Sequence, residues 1–365
     1  MENDALYTIA LTQVNGIGAV QAKQLIEQFG TADAVFKTPL KSLAAVEGFG
    51  LIKANAIKKF SDFKSIEDEI TFCQFHHINI LCLTDPSYPK RLLNCFDAPT
   101  VIYYRGTADL NTARIISIVG TRINSDYGKQ ITEQIVKELA AQNVLIISGM
   151  AFGIDAIAHK AALQNDLATV GVLAHGLNTI YPPQHTSLAK DMLQNGGLLT
   201  EFPRFTKPDK HNFPRRNRIV AGMADGTIVI ETAAKGGSMI TAELTYDYNR
   251  DLFAVPGRVT DTRSIGCNKL IQQNKAAIFS NTEQMMEVLG WQKKKVTAKK
   301  QRELFIELTP EELTIVTILE SKEIVHIDEI YLTSKLSSSS VAVAMLNLEL
   351  QNILVCLPGK LYRLM

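Results

Sequence analysis

The chain has 365 residues, 46% hydrophobic and 21% charged, and its 38 Lys and Arg against 37 Asp and Glu leave a formal net charge of +1. That length calls for two to four domains of ordinary globular composition, and the near-neutral balance offers no overall basic surface, so a polyanion would have to be met by local clusters. Cys73, Cys82, Cys95, Cys267 and Cys356 are scattered without a C-x-x-C pair, which speaks for thiols in a reducing cytoplasm and against disulfides or zinc. The start Met1-Glu2-Asn3-Asp4 is no cleavable signal, and no apolar run approaches the roughly 20 residues that span a bilayer.

Residues 5–60 carry an internal repeat. Val14-Asn15-Gly16-Ile17-Gly18 with Ala22 and Leu25 recurs 32 residues later as Val46-Glu47-Gly48-Phe49-Gly50 with Ala54 and Ile57. Each half reads as helix, Gly-x-Gly turn, helix, the helix-hairpin-helix pattern. Its glycines let a nucleic-acid backbone approach the turn, or they simply cap helices in a packing or protein-binding module. From 70 to 112 the chain reads as a connector with strands at Ile78–Leu83 and Thr100–Tyr104 around the rigid turn Asp85-Pro86-Ser87-Tyr88-Pro89. His76-His77 has no partner ligands at metal spacing.

From Arg114, short β-branched runs (Ile115–Val119, Val144–Ile147, Thr169–Leu173, Leu198–Phe202, Thr227–Glu231, Leu252–Val255) alternate with helical patterns such as Gly128–Ala141, Gly153–Leu163 and Ser238–Arg250. This alternation predicts an α/β fold with a doubly wound, mostly parallel sheet. After Gly290-Trp291 comes a basic run, Lys293-Lys294-Lys295 to Lys299-Lys300-Gln301-Arg302. Thr309-Pro310-Glu311-Glu312 then signals a helix start, and helices from Asp328 and over Ser338–Gln351 with strands Ile353–Leu357 and Lys360–Leu364 make a winged-helix pattern. Its third helix lacks Lys or Arg, which leaves duplex DNA or a protein partner open. The expected domains are 1–70 (helix-hairpin-helix, SAM-like), 71–290 (sheet), 291–305 (basic linker) and 306–365 (winged helix).

The stretch Phe213–Thr241 combines a cationic helix opening, a buried strand and a glycine turn feeding another helix. Beyond the carboxyl ends of parallel strands, that combination builds an anion site from helix N-termini and arginines. Candidate phosphate-handling turns are Gly120-Thr121-Arg122, Ser148-Gly149 through Asp155, and Lys235-Gly236-Gly237-Ser238. Between Arg204 and Arg218 the chain carries Arg204, Lys207, Lys210, Arg215, Arg216 and Arg218 against the single acid Asp209. Phe213 is either a hydrophobic staple or a platform on which a base stacks. No G-x-G-x-x-G follows the first strand, and P-loop, G-x-S-x-G and H-E-x-x-H motifs are missing from the sequence. Asp155, His159, His175, Glu231 and Glu243 fit capping, strand-end or turn roles better than acid-base ones, so no catalytic residue, metal or cofactor is assigned.

Gly120-Thr121-Arg122, Ser148-Gly149-x-Ala151-x-Gly153-Ile154-Asp155, Tyr181-Pro182, Phe213-Pro214-x-Arg216-Asn217-Arg218-Ile219, Gly237-Ser238-x-x-Thr241-Ala242 and Val255-Pro256-Gly257 together resemble the DNA-processing protein A (DprA/Smf) family over about Ile78 to Phe279. The resemblance implies an extended Rossmann-like domain and a dimer. It further implies a cytoplasmic protein of natural transformation that binds and protects incoming single-stranded DNA and loads the RecA recombinase. Carried over by motif, Arg122, Lys210, Phe213, Arg216, Asn217 and Arg218 would line the DNA pocket; Gly120, Thr121, Gly149, Lys235, Gly237 and Ser238 complete the expected site. The chain departs from the family at Gly236, where Ser is usual, and at Pro183 and His185, where Lys and Asn often follow Tyr-Pro. A second resemblance, of Gly236 through Glu243 to the glycine loop of phosphoribohydrolases, would make Glu243 catalytic, although Ile240 replaces that loop's third glycine.

Overall fold

The structure is a computed structural model that describes residues 2–291 and 308–364 apart from 323, 352 and 358. The basic linker expected at 291–305 lies, from residue 292 onward, outside the described residues. The chain divides into two compact units, Met1–Gln292 and Lys293–Met365.

The first unit opens with helices Glu2–Gln13, Ala19–Phe29, Ala32–Lys37, Leu40–Ala44, Gly50–Lys59 and Phe63–Phe75. The repeat is physical: Ala22, Leu25, Ala54 and Ile57 are all buried, and Gly16 and Gly48 both take φ near +80° (82° and 73°), which a side chain would strain. This module shares one apolar core with the sheet, where Leu25, Leu43 and Ile57 belong to the same cluster as Leu92, Ile102 and Ile115. The Lys23 ammonium adds hydrogen bonds to the Leu93 (2.8 Å) and Cys95 (3.0 Å) carbonyls.

A nine-stranded sheet follows: β1 Asn79–Cys82, β2 Val101–Gly106, β3 Ile115–Val119, β4 Leu145–Gly149, β5 Thr169–Val172, β6 Gly196–Thr200, β7 Gly226–Val229, β8 Asp251–Ala254 and β9 Ala277–Ile278. Their order is β1-β2-β6-β5-β4-β3-β7-β8-β9. From β6 to β9 every pairing is parallel, while β2 joins β6 and β1 joins β2 antiparallel. The two strands expected in the connector are therefore the sheet's antiparallel edge, and β9, two residues long, extends the other edge.

Both faces are covered. Along β3, Ile116 and Ile118 pack with helices Asp126–Ala140 and Ile154–Gln164, whereas Ile115 and Val119 pack on the other side with Ile219 and Val220 of helix Asn212–Gly222 and Ala242 of helix Gly237–Asp247. Two-sided burial is why the strands read as unbroken apolar runs. The helix after β3 covers one face and the helix after its neighbour β7 covers the other. The chain thus leaves adjacent strands in opposite directions, and a crevice opens between them at their carboxyl ends. Met239 and Met285 are core.

In the second unit, helices Pro310–Glu320, Ile327–Ser334 and Ser338–Leu350 pack on strands β10 Val325–His326, β11 Leu354–Leu357 and β12 Leu361–Leu364, ordered β10-β12-β11. The anticipated capping box forms in both directions, Glu312 N–H to the Thr309 hydroxyl (3.3 Å) and Thr309 N–H to the Glu312 carboxylate (2.9 Å). This is a winged helix. Its third helix exposes Val343, Leu346 and Leu350.

Candidate nucleic-acid interface

The crevice between β3 and β7 holds a cavity of about 310 Å3. One wall is the turn after β3. Thr121 N–H donates to the Glu231 carbonyl (2.7 Å) and Ile154 N–H to the Thr121 carbonyl (3.2 Å), pinning the turn between the end of β7 and the start of helix Ile154–Gln164. A Cβ on Gly120 would stand 2.5 Å from Ile154, so only glycine fits this approach. Arg122 emerges from the turn exposed to solvent. The Ser125 hydroxyl is occupied: it accepts from Gly128 N–H (3.0 Å) and donates to the Glu231 carboxylate.

The opposite wall is the start of helix Gly237–Asp247, preceded by Gly236 and carrying no side-chain cap. A Cβ at Gly236 or Gly237 would meet nothing within 4 Å, so the wall is open to a ligand. First-turn N–H groups of an uncapped helix, with its positive dipole end, suit an anionic oxygen. The Ser238 hydroxyl is turned inward to Thr232 (2.7 Å). Asn217 donates to the Gly237 carbonyl (3.0 Å), tying this wall to helix Asn212–Gly222. Lys235 lines the cavity from its exposed turn.

Arg216 forms the floor. It is buried, bonded to the Val172 carbonyl and through Nε to Asn217 Oδ1 (3.2 Å). Burial lowers its affinity for the proton, and the Asp155 carboxylate opposes that. Asp155 faces it across Gly149, where a Cβ would sit 2.6 Å from both the guanidinium and the carboxylate. Burial pushes the Asp155 carboxyl up to about 6, with Arg216 pulling the other way. The site thus contains a buried carboxylate that anion binding would have to work against. The sequence placed Asp155 in a candidate phosphate turn and favoured a capping or turn role for it, without its pairing to Arg216.

Phe213 stands at the mouth, half-buried, with the Arg122 guanidinium 5.6 Å from its ring centroid and the Tyr181 ring 6.2 Å away. It also lines two adjoining hollows. One, about 130 Å3, includes Tyr181, Pro182 and His175; the other, about 450 Å3, includes Tyr181, Pro208 and Lys210. Of the twelve residues expected at the site, Gly120, Thr121, Arg122, Gly149, Phe213, Arg216, Asn217, Lys235, Gly237 and Ser238 line the main cavity, and Lys210 lines the adjoining one.

Arg218 is not brought there. It is buried and donates to Glu201 (2.5 Å), because consecutive helical residues are turned about 100° apart and a run of three cannot share one wall. The cationic cluster is also smaller than its count. Arg204 pairs with Glu69 (3.1 Å), and Arg215 (3.3 Å) pairs with the same Glu201 as Arg218. The remaining titratable candidates carry structural bonds. His159 bridges Thr169 (2.7 Å) and the Gly149 carbonyl (2.9 Å), and burial drives its imidazole down to about 4. His175 bonds the Gly176 carbonyl (2.9 Å), Glu231 holds the Ser125 turn, and Glu243 lies outside the cavity lining, paired with Lys275.

Comparisons with known proteins converge. Residues 79–290 match the family described as DNA recombination-mediator protein A, residues 8–60 a SAM-like helix-hairpin-helix tandem and residues 301–360 the DprA winged helix domain. Protein Smf of Synechocystis sp. is 34% identical over 295 residues, 79% of this chain and 73% of its own length. The crystal structure of DNA processing protein A from Streptococcus pneumoniae superposes with a TM-score of 0.68 at 30% identity, covering 77% of this chain and 97% of that one. A structure of the Helicobacter pylori protein, described for its single-stranded DNA binding mode, matches at TM-score 0.53 and 31% identity over 59% of this chain and 96% of that one.

Proposed function

This chain belongs to the DNA recombination-mediator protein A family, and on that premise we propose that it binds single-stranded DNA without regard to sequence and without a catalytic step. The observation that carries the reading is Phe213 at the mouth of an anion-shaped cavity, flanked by Arg122 and Tyr181. Phosphates sit against the Gly120–Arg122 turn and the uncapped start of helix Gly237–Asp247, with Lys210 and Lys235 supplying mobile charge and buried Arg216 a fixed one. A base stacks on Phe213, which adds about 1 to 3 kcal/mol and tolerates every base. The protein acts in the cytoplasm as a homodimer in natural transformation, covering incoming single strands and loading the RecA recombinase on them. A phosphoribohydrolase has less support, because its required acid, Glu243, is outside the cavity and held by Lys275.

Fluorescence anisotropy of a labelled oligo-dT against duplex competitor, across a salt series, tests this. The expected outcome is strong preference for the single strand, with log K falling by about 0.7 per phosphate neutralised for each decade of salt. Equal affinity for duplex, or no binding at low salt, overturns it. Sedimentation and a strand-exchange assay with the recombinase test the dimer and the loading separately.

A further inference from the structure

The loop from β6 to helix Asn212–Gly222 does more than hold Lys210. Phe205 is a bulky residue at φ +66° and is 69% exposed. Left-handed backbone costs a non-glycine residue about 1 to 2 kcal/mol, and here the cost is not recovered by burying the ring. The conformation is enforced from the backbone instead. Phe205 N–H donates to Asn178 Oδ1 (3.2 Å), Arg204 N–H donates to the buried Glu69 carboxylate (2.8 Å), and Gly176 N–H donates to the Thr206 carbonyl (3.1 Å). The loop holds an aromatic ring in water.

That ring is one end of a ladder. The Arg204 guanidinium is 5.0 Å from the Phe205 centroid and 5.1 Å from that of Phe72; Phe72 is 4.3 Å from His76, and His76 is 5.1 Å from Phe75. Phe75, at the far end on helix Phe63–Phe75, is 78% exposed. The Glu69–Arg204 pair accounts for the joint between helix and loop, but it does not account for two exposed rings at the ends. Lys207, exposed on the same loop, follows Phe205 by two residues. Pro208 and Lys210, lining the hollow that shares Phe213 and Tyr181, lie within five residues of Phe205. Three residues reach at most about 11 Å, so Phe205 stands within that distance of Pro208 along the chain.

We propose that the single strand leaves the Phe213 pocket along this loop and stacks further bases on Phe205 and then Phe75, with Lys207 on its phosphates. The proposal rests on the pocket reading above. Aromatic faces beside cations, with no pattern of base-edge donors required, suit a sequence-tolerant strand.

The test is affinity against oligo-dT length, about 6, 12 and 20 nucleotides at fixed salt, with 2-aminopurine at either end in turn. Phe213→Ala serves as the pocket control, and Phe205→Gly combined with Phe75→Ala removes the track. Glycine at 205 relaxes the left-handed backbone, so that variant's melting temperature should not fall. Phe213→Ala should weaken every length. The double variant should bind the shortest oligo normally and lose roughly 5- to 150-fold per base on the longer ones, with the quenching of the outer 2-aminopurine gone. Wild-type affinity and quenching on the longest oligo would overturn the track while leaving the pocket intact. Normal binding by Phe213→Ala at every length would overturn the pocket reading itself.

Discussion

Asp155 gives a direct test of the electrostatics of the pocket. A buried carboxylate beside the surface proposed to receive phosphate would oppose binding whenever it is ionised, and with its carboxyl near 6 it is ionised at pH 7.5 and largely protonated at pH 5. A unit charge about 8 Å from a phosphate, at an effective dielectric near 20, is worth about 2 kcal/mol, and physiological salt trims this toward about 1. Asp155→Asn should therefore bind oligo-dT roughly 5- to 30-fold more tightly than the wild type at pH 7.5. The advantage should shrink as pH falls, and the two proteins should converge near pH 5. Any other proton uptake over the same range acts on both proteins alike, so the gap between them is the quantity to follow. Anisotropy at fixed ionic strength from pH 5 to 8 measures it. A variant that binds no better at pH 7.5, or a gap that persists at pH 5, would show that the carboxylate does not face bound phosphate.

Three other substitutions separate ligand contacts from scaffold. Arg122→Ala should weaken all single strands alike and lower the salt slope by about one contact, whereas Arg218→Met should leave affinity alone and lower stability by about 1.5 to 3 kcal/mol, the loss of one hydrogen bond to a charged group, because Arg215 stays paired with Glu201; salt titrations and denaturant melts read the two. Gly149→Ala should do both, because its methyl collides with the Arg216 guanidinium and the Asp155 carboxylate; a loss of about 1 to 3 kcal/mol in melts, with weaker binding, is the expected pair of results. His159 sets an acid limit. Its folded value near 4 lies below the ordinary 6.5, so its contribution is complete above about pH 6.5 and disappears as pH falls toward 4. The loss is on the order of 3 kcal/mol, and His159→Gln should flatten that part of the stability curve even where it lowers the whole of it.

The sheet was legible because its strands are buried on both faces, which leaves short uninterrupted β-branched runs between amphipathic helices. Ile115–Val119 was readable to the residue. Pairing was not legible. β1 and β2 carry ordinary strand signals, but nothing local in Val101–Gly106 says that its partner is Gly196–Thr200, nearly a hundred residues on, or that it runs antiparallel. β9 and β10, with two residues each, are below the length at which alternation can be seen. The continuity of the helical module with the sheet is likewise a property of side chains meeting across the chain, as Lys23 meets Leu93, and no boundary composition announces it.

The site shows the same division more sharply. Glycines at the strand ends were readable, since each is demanded by a local approach: Gly120 to Ile154, Gly149 to Arg216. Charge was misjudged, because a window counts cations along the chain while neutralisation happens in space. Glu201 precedes the basic run by three residues and takes up Arg215 and Arg218; Glu69, from a helix of the N-terminal module, takes up Arg204. What the local count presents as six free cations is, in the folded chain, three structural ion pairs, one buried floor and two exposed lysines. A chain of net charge +1 therefore has little positive potential to spend on its ligand. On the proposed reading, discrimination for a flexible single strand then falls to what a duplex cannot offer, an unstacked base for Phe213, and the helix N-terminus and turn need only hold the phosphate that positions it.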